Sequence, residues 1–172
     1  MQLARKVAIV TGSGRGIGKA IALAYAQEGA DIVVVGRSEV AERLPGTIHQ
    51  TAAEVRALGR RALAVRCDVS SDEDVQRLVQ QAQQEFGRID VLVNNAGVIF
   101  HSTIVDTLVR RWDLVIRVNL RGTFLCCKSV LPIMMQQRTG SIINLTSRAA
   151  HDPWPGTTPY GVTKAGIELL TT

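Results

Sequence analysis

Residues 7–18 have the sequence VAIVTGSGRGIG, and this stretch decides the fold class. Residues 6–11 form a short apolar run that ends at a glycine, which is typical of a strand buried on both faces of a parallel sheet. Glycine then occupies every second position from 12 to 18, and a helical pattern begins at about residue 16. A strand, a glycine-rich turn and a helix in this order predict the first unit of a βαβ fold.

The same alternation continues along the chain. Further strands are predicted at 32–35, 62–67, 89–93 and 142–145, and helices at about 16–28, 48–58, 71–86 and 108–137, with a last helix from about 159. We therefore predict one α/β domain over residues 1–172, a doubly wound parallel sheet of the Rossmann type with three layers and strand order 3-2-1-4-5. The residues expected to face the core from the first two helices are Ile17, Ala20, Ile21, Ala24, Tyr25, Ala52, Val55 and Leu58.

Composition narrows the class of protein. Hydrophobic residues make up 46% of the chain and charged residues 20%, and no apolar run approaches the length of a membrane span. Because no signal segment precedes the first strand, we expect a cytoplasmic protein without a membrane partner. The net charge of +5 comes mostly from scattered arginines, and aromatic residues are only 4%, which disfavours a nucleic-acid partner.

The glycine turn departs from the common dinucleotide-binding pattern. In Gly-x-Gly-x-x-Gly the third glycine would stand where this chain has Ile17, so the usable pattern is Gly12-x-x-x-Gly16-x-Gly18. The physical requirement is unchanged, because glycines permit a tight turn and let the backbone approach a pyrophosphate at the N-terminus of the next helix. We interpret the turn as a nucleotide site; the alternative is a purely structural turn.

The end of the second strand bears on the choice of cofactor. An acidic residue that binds the ribose would be expected there, but the chain has Gly36 and Arg37, and Arg15 supplies a second cation in the glycine turn. Two arginines favour a ribose 2′-phosphate, and one charge-assisted hydrogen bond contributes about 1.5–3 kcal/mol. We therefore predict that NADP is preferred and that NAD is possible. The preference weakens if Glu39 reaches the ribose.

Tyr160 and Lys164 stand four residues apart, on one face of the last predicted helix, and Ser147 precedes them by thirteen residues. A tyrosine hydroxyl ordinarily has a pKa of about 10, too high for proton transfer at neutral pH. One cation about 4 Å away contributes up to about 4 kcal/mol at an effective dielectric of about 20. Lys164 would therefore be sufficient to make Tyr160 a general acid and base.

Other interpretations of these polar residues remain open. Tyr-x-x-x-Lys alone is usually only a helix surface, and Asn119 could be a helix-interior residue that bonds the backbone. Ser147, His151 and Asp152 offer a superficial hydrolase set, but they lie within six residues and lack a Gly-x-Ser-x-Gly turn. The three histidines are far apart, and the three cysteines form no Cys-x-x-Cys pair, so we predict no metal site.

Five motifs together resemble the short-chain dehydrogenase/reductase family, and the resemblance runs from residue 6 to the last residue. In order they are Thr11-Gly12-x-x-x-Gly16-Ile17-Gly18, Asn94-Asn95-Ala96-Gly97, Asn119, Ser147 and Tyr160-x-x-x-Lys164. The resemblance implies hydride transfer between a nicotinamide and a carbonyl or secondary alcohol, with a catalytic tetrad of Asn119, Ser147, Tyr160 and Lys164. In it Tyr160 moves the proton, Ser147 bonds the substrate oxygen, and Asn119 helps to hold a water relay to Lys164.

The cofactor-binding residues that follow from the glycine turn and the resemblance are Gly12, Ser13, Arg15, Gly16, Ile17, Gly18, Arg37, Asp68, Val69, Asn95, Ala96, Gly97, Tyr160 and Lys164. The resemblance also implies a homodimer or homotetramer through the helices at 108–137 and 159–172. The last helix shows no terminating glycine, and a doubly wound fold normally adds a sixth strand. We therefore expect that the C-terminal part of the domain is missing. The alternative function is a truncated dinucleotide-binding fragment, or a partner subunit, without turnover.

Overall fold

A computed structural model describes residues 1–40 and 45–171 of the chain. Its strands are β1 (Val7–Thr11), β2 (Asp31–Gly36), β3 (Ala62–Arg66), β4 (Val91–Asn94) and β5 (Ser141–Asn144). All neighbouring strands are parallel, and the sheet order is β3-β2-β1-β4-β5. The predicted fold class and strand order are confirmed. Residues 41–44 belong to the segment that the sequence predicts as a loop between the second strand and the second helix, and they lie outside the described residues.

Alternate residues of the central strands supply two separate hydrophobic cores, because successive side chains of a strand point to opposite faces of the sheet. In β1, Ala8 and Val10 lie in one core, whereas Val7 and Ile9 lie in the other. The first core is completed by the helices α1 (Gly16–Gln27) and α2 (Ile48–Ala57), and the second by α3 (Asp72–Phe86) and by residues between 118 and 134. Helices therefore cover both faces of the sheet, as in a three-layer fold.

The predicted helix at 108–137 is one continuous helical segment with an irregular middle. It consists of α4 (Val109–Val115), a π-helical turn (Ile116–Arg121) and α5 (Gly122–Gln137). The last helix, α6 (Thr158–Leu170), packs against the π turn and against a short 3₁₀ turn, Arg148–Ala150. Isolated π turns occur frequently at functional sites, and this one contains Asn119. The described helices are too short or too polar to cross a bilayer.

The face of α1 that meets the sheet differs from the prediction. Ile17 is 68% exposed, and Ala20 and Ala24 are also exposed, whereas Ala22 and Ala26 are fully buried. The reason lies at the start of the helix, where Gly18 packs directly on the turn and aligns the small residues four and eight positions later with the sheet. Ile21 and Tyr25 are only partly buried at the edge of that core.

The core face of α2 was predicted correctly except at its end. Ala52 and Val55 are buried, but Leu58 is 42% exposed. The helix ends at Ala57, so Leu58 leaves the helical face one residue too early to reach the core.

A buried carboxylate closes the edge of the sheet that is opposite to the strand carboxyl ends. Asp90 accepts hydrogen bonds from the Val7 N–H at 2.9 Å and from Arg88 Nη2 at 2.6 Å, and Lys6 Nζ lies 3.3 Å away. Burial by itself would raise the pKa of Asp90, but these three donors outweigh it and hold the pKa below the ordinary 3.8. Asp90 thus fixes the start of β1 to the start of β4.

Candidate active site

The glycine turn lies where β1 ends and α1 begins. Gly12 and Gly16 have φ angles of +68° and +57°, the left-handed region that glycine adopts without strain. A Cβ on Gly18 would overlap the Gly12 carbonyl and the Asn95 side-chain amide. Gly12 and Gly16 therefore allow the turn, and Gly18 allows α1 to approach the segment after β4 closely.

Two hydroxyl groups beneath the turn hold it in place. Thr11 Oγ1 donates to the Val93 carbonyl at 3.2 Å and accepts the N–H groups of Asn95 and Ala96 at 3.0 and 3.1 Å. The Ser13 hydroxyl is fully buried, donates to the Val10 carbonyl at 2.7 Å and accepts from the Val35 N–H at 2.9 Å. Ser13 therefore supports the turn from below instead of facing a ligand.

The N-terminus of α1 differs from those of the two helices that follow it. Thr47 accepts a hydrogen bond from the Gln50 N–H at the start of α2, and Ser71 accepts one from the Asp74 N–H at the start of α3. At the start of α1, in contrast, Arg15 provides no side-chain cap, and the first turn contains no acidic residue. Neither the N-cap side chain nor the first turn of α1 therefore supplies an anion for the positive end of the helix dipole, which adjoins the cleft.

A cleft of about 370 Å³ opens in front of this helix end. It extends from the end of β2, across the glycine turn, to the segment that follows β4. Most of the predicted cofactor residues line it: Gly12, Arg15, Ile17, Gly18, Arg37, Asp68, Val69, Asn95, Ala96 and Gly97. Four do not, namely Ser13, Gly16, Tyr160 and Lys164. The cleft is also lined by residues that sequence analysis did not select, among them Gly46, Ile48, Val98 and Val118.

Charged groups near the end of β2 separate into two sets. Arg37, with 63% of its side chain exposed, lies 3.8 Å from Asp68 (Nη1 to Oδ2), at the mouth of the cleft. Glu39 is directed elsewhere, since its carboxylate lies 3.5 Å from His49 Nε2 and 3.6 Å from Arg66 Nε. In the described structure, the cleft rim at β2 therefore presents the guanidinium of Arg37 and not the carboxylate of Glu39.

Cys67 forms part of the cleft floor, but it is not a nucleophile. Only 2% of the residue is exposed, and burial raises the pKa of its thiol to about 12. The thiol therefore stays neutral and acts as a small apolar surface.

Asn119 connects the end of the cleft to the helix that carries Tyr160. It is fully buried, its Oδ1 accepts the Val98 N–H at 2.8 Å, and its Nδ2 donates to the Val98 carbonyl at 2.9 Å and to Thr163 Oγ1 at 3.2 Å. The interpretation of Asn119 as a backbone-bonding residue is thus correct for its side chain, although the backbone belongs to another segment. The main-chain carbonyl of Asn119, in the π turn, accepts a hydrogen bond from the Thr123 hydroxyl at 2.7 Å.

Tyr160 and Lys164 lie on α6 with the predicted spacing. Lys164 is 5% exposed, its Nζ donates to the Leu145 carbonyl at 2.6 Å, and it lies 5.5 Å from the centre of the Tyr160 ring. Burial lowers the pKa of the ammonium group below its ordinary 10.5. The lysine is therefore a buried cation held beside the tyrosine by a main-chain oxygen.

Ser147 begins the 3₁₀ turn that packs on α6. Its Oγ accepts the Ala149 N–H at 3.2 Å. A Cβ on Gly161 would come within 2.7 Å of the Ala149 carbonyl, so a glycine next to Tyr160 lets this turn approach the helix closely. The structure thus brings the segment of Ser147 onto the helix of Tyr160 and Lys164.

The hydrolase set is not assembled. His151 Nε2 lies 2.8 Å from Glu168 Oε2, and Asp152 pairs instead with Arg148 at 3.4 Å. Glu168 also accepts the Thr146 hydroxyl at 2.8 Å, so one carboxylate on α6 holds both sides of the Ser147 segment. Within residues 1–40 and 45–171, no group of three or more potential metal ligands lies close together.

Three residues organise this region although the sequence did not mark them as site residues: Thr163 and Glu168, and Thr11, which the sequence indicated only as the start of the first motif. Thr163 follows Tyr160 by three residues and Glu168 follows Lys164 by four, so helical spacing could have indicated both. Thr11 ends the first strand, and its position could have predicted a hydroxyl among the neighbouring backbone groups.

Comparison with known proteins agrees with this geometry. The family model described as short chain dehydrogenase matches residues 6–172. A 3-oxoacyl-(acyl-carrier-protein) reductase from Synechocystis is 41% identical over 166 residues, 96% of this chain and 65% of that protein. An uncharacterised oxidoreductase from Staphylococcus aureus is 37% identical over 98% of this chain and 70% of its own.

Solved structures give the same result. The crystal structure of NAD+-bound xylitol dehydrogenase superimposes with a TM-score of 0.93 at 34% identity, over 99% of this chain and 64% of that chain. A crystal structure described as that of a dehydrogenase from Xanthomonas campestris superimposes with a TM-score of 0.92 at 40% identity. The chain thus spans about two thirds of the length of the relatives it matches. The sheet order, the glycine cleft and these matches together show that the chain belongs to the short-chain dehydrogenase family of oxidoreductases.

Proposed function

We propose that residues 1–172 act as one dinucleotide-binding domain of a cytoplasmic oxidoreductase that interconverts a carbonyl compound and a secondary alcohol with NADP(H). The observation that carries this proposal is that the cleft is connected to the helix of Tyr160 and Lys164. The cleft at the uncapped end of α1 reaches Gly97 and Val98, and Val98 is hydrogen-bonded to Asn119, which contacts the helix of Tyr160 and Lys164.

The cleft fits a dinucleotide in shape and in charge. A Cβ at Gly12 would come within 3.0 Å of the Ala96 backbone, so the turn leaves no space for larger residues. The uncapped N–H groups of α1 suit a pyrophosphate. Gly12, Gly18, Asn95 and Gly97 would line the cofactor, and Asp68 and Val69 would flank the adenine.

NADP is the proposed preference because of Arg37. Its guanidinium is at the cleft mouth and is paired with Asp68 only at 3.8 Å, a distance that leaves its donors available to a phosphate. Glu39, the residue that would favour an unphosphorylated ribose, is directed toward His49 and Arg66. The NAD+ in the xylitol dehydrogenase structure belongs to that protein, and NAD remains the second cofactor of the proposal.

The chemistry divides between the cofactor and four side chains. When bound, a nicotinamide dinucleotide supplies or accepts the hydride of a carbonyl–alcohol interconversion. Tyr160 gives the proton to the substrate oxygen or removes it, and Ser147 donates a hydrogen bond to the same oxygen. Lys164 stabilises the tyrosinate as a buried cation, and Asn119 supports the path of the proton toward Lys164.

A homodimer or homotetramer through α5 and α6 belongs to the same proposal. Ile116, Leu120, Phe124 and Leu169 surround one apolar groove between the π turn, α5 and α6, and Phe124 and Leu169 are exposed. A second copy covering this groove would remove apolar surface from water. Sedimentation velocity should detect the assembly, and a stable monomer at micromolar concentration would refute it.

The test separates cofactor binding from turnover. Fluorescence titration should give a lower dissociation constant for NADPH than for NADH, and NADPH should be consumed with at least one member of a panel of aldehydes, ketones and 3-oxoacyl thioesters. Absence of dinucleotide binding would overturn the proposal. Tight binding without consumption of NADPH would favour the alternative, a dinucleotide-binding subunit without turnover.

A further inference from the structure

We propose that Thr163 is a positioning residue for this reaction, which fixes the Asn119 side-chain amide to the helix that carries Tyr160 and Lys164. The proposal rests on the function proposed above. It concerns a hydroxyl group that neither the glycine turn nor the tetrad includes.

The Thr163 hydroxyl makes two hydrogen bonds in a fully buried position. It donates to the Tyr160 carbonyl at 2.7 Å and accepts from Asn119 Nδ2 at 3.2 Å. A hydroxyl can do both at once because it has one proton and two lone pairs. Thr163 therefore contacts two tetrad residues and is adjacent in sequence to a third, Lys164.

The bond to Thr163 gives the Asn119 amide its connection to the catalytic helix. The other two bonds of the amide go to the N–H and carbonyl of Val98, at 2.8 and 2.9 Å. Val98 lines the cleft, whereas Thr163 belongs to α6. Among the described residues, the Thr163 hydroxyl is the α6 group that accepts a hydrogen bond from this amide. This hydrogen bond therefore positions α6 relative to the end of the cleft.

Loss of the hydroxyl should act on geometry and not on cofactor affinity. Valine has nearly the shape of threonine, but it would leave one N–H of the buried Asn119 amide without a partner. The amide or α6 would then shift, and small displacements of catalytic groups lower the rate of the chemical step strongly. The cleft is lined by other residues, so binding of the dinucleotide should be retained.

The experiment compares Thr163→Val, Thr163→Ser and a matched control, Thr157→Val. Thr157 is also fully buried, and its hydroxyl also donates to the carbonyl three residues earlier, that of Trp154 at 2.7 Å. In the described part of the chain, it makes no hydrogen bond to the tetrad side chains. Thr163→Val should lower kcat about tenfold, the value of one hydrogen bond, with KM and the NADPH dissociation constant unchanged. Thr163→Ser and Thr157→Val should retain the wild-type kcat.

A second measurement does not depend on turnover. In the full chain, NMR of the Asn119 side-chain amide should show about tenfold faster hydrogen exchange in Thr163→Val than in the wild type and in Thr163→Ser. If Thr163→Val does not fold, Thr163→Ala replaces it. Equal kcat for Thr163→Val and Thr157→Val, or unchanged exchange of the Asn119 amide, would overturn the proposal. If the wild type turns over no substrate, the proposed function fails, and the exchange measurement still decides the role of Thr163.

Discussion

The two ends of the site are built in different ways. The proposed nucleotide end is made mainly of backbone, because glycines at 12 and 18 and the N-terminus of α1, which its N-cap side chain does not cap, shape it. The proposed catalytic end is made of side chains from separate segments. Asn119 is held by a hydrogen bond to Val98, Thr163 by one from Asn119, and Lys164 by one to Leu145. Binding and chemistry should therefore respond to different substitutions.

This difference also shows where the two ends meet. Gly97 lines the cleft, and a Cβ on it would come within 3.3 Å of Asn119 Oδ1. Val98, the next residue, exchanges two hydrogen bonds with the same side chain. A change at the proposed catalytic end should therefore reach the cleft most directly through this short contact.

The largest expected effect is at Tyr160, and it tests whether the two ends are independent. Tyr160→Phe removes the proposed proton donor, so kcat should fall about 10³-fold. The NADPH dissociation constant should remain nearly unchanged, since Tyr160 does not line the cleft. The other tyrosine of the chain, Tyr25 on α1, provides a matched control, and Tyr25→Phe should keep the wild-type rate. Retained turnover in Tyr160→Phe would remove Tyr160 from its proposed role.

Gly18→Ala should lower the affinity for NADPH, which Tyr160→Phe should leave nearly unchanged. The new Cβ would overlap the Gly12 carbonyl and the Asn95 amide, and the turn would have to open. Overpacking of this kind costs about 1–3 kcal/mol, so the affinity for NADPH should fall up to about a hundredfold. In the control, Gly166→Ala, the atoms nearest to the new methyl group belong to the flexible Leu120 side chain, at 3.1 Å. An unchanged NADPH affinity in Gly18→Ala would show that the glycine turn is structural only.

Substitution of Asp90 should lower the stability of the whole fold and favour neither end of the site, because Asp90 lies at the opposite edge of the sheet. Asp90→Asn should lower the free energy of unfolding by about 2 kcal/mol at neutral pH, with the partial exposure of Lys6 and Arg88 moderating the loss. The folded-state pKa of Asp90 is below 3.8, so its carboxylate stabilises the fold above that pH and loses this contribution as the pH falls through the folded pKa. The difference between variant and wild type in urea unfolding should therefore shrink in acid. A difference that grows in acid would contradict this assignment.

The smallest expected effect is at Arg37, and it concerns the nucleotide end alone. Arg37→Leu should weaken NADPH binding about tenfold and leave NADH binding unchanged, because only NADPH carries the 2′-phosphate. Arg66→Leu is the matched control, since Arg66 is similarly exposed but pairs with Glu39 and does not line the cleft. Equal losses for both cofactors in Arg37→Leu would contradict the assignment of Arg37 to the phosphate.

The backbone-built end was more predictable from sequence than the side-chain-built end. The strand order and the glycine turn followed from local patterns, as did the cleft residues Gly12, Arg15, Ile17, Gly18 and Arg37, because glycine positions and strand ends have direct structural consequences. The other predicted cleft residues, Asp68, Val69, Asn95, Ala96 and Gly97, came from the family resemblance. The orientation of α1 did not, since Gly18 and not the larger Ile17 determines which face meets the sheet. Alanine is a weak indicator of a buried face, and the helix uses Ala22 and Ala26 for close contact.

The backbone partners of Asn119 and Lys164 could not be predicted, because they lie in other segments of the chain. The bond of Asn119 to Val98 spans 21 residues, and that of Lys164 to Leu145 spans 19. Nothing in the sequence around Glu39 indicates that it faces His49 and Arg66. Such contacts depend on how loops fold at the sheet edge, and local patterns do not encode this.

The most direct test of the central claim is a crystal structure of the chain with NADP+. We expect the pyrophosphate at the N–H groups that begin α1, the 2′-phosphate within hydrogen-bond distance of Arg37, and the nicotinamide end of the cofactor beside Tyr160 and Lys164. A dinucleotide bound outside the glycine cleft, or one whose nicotinamide end lies away from Tyr160, would contradict this claim.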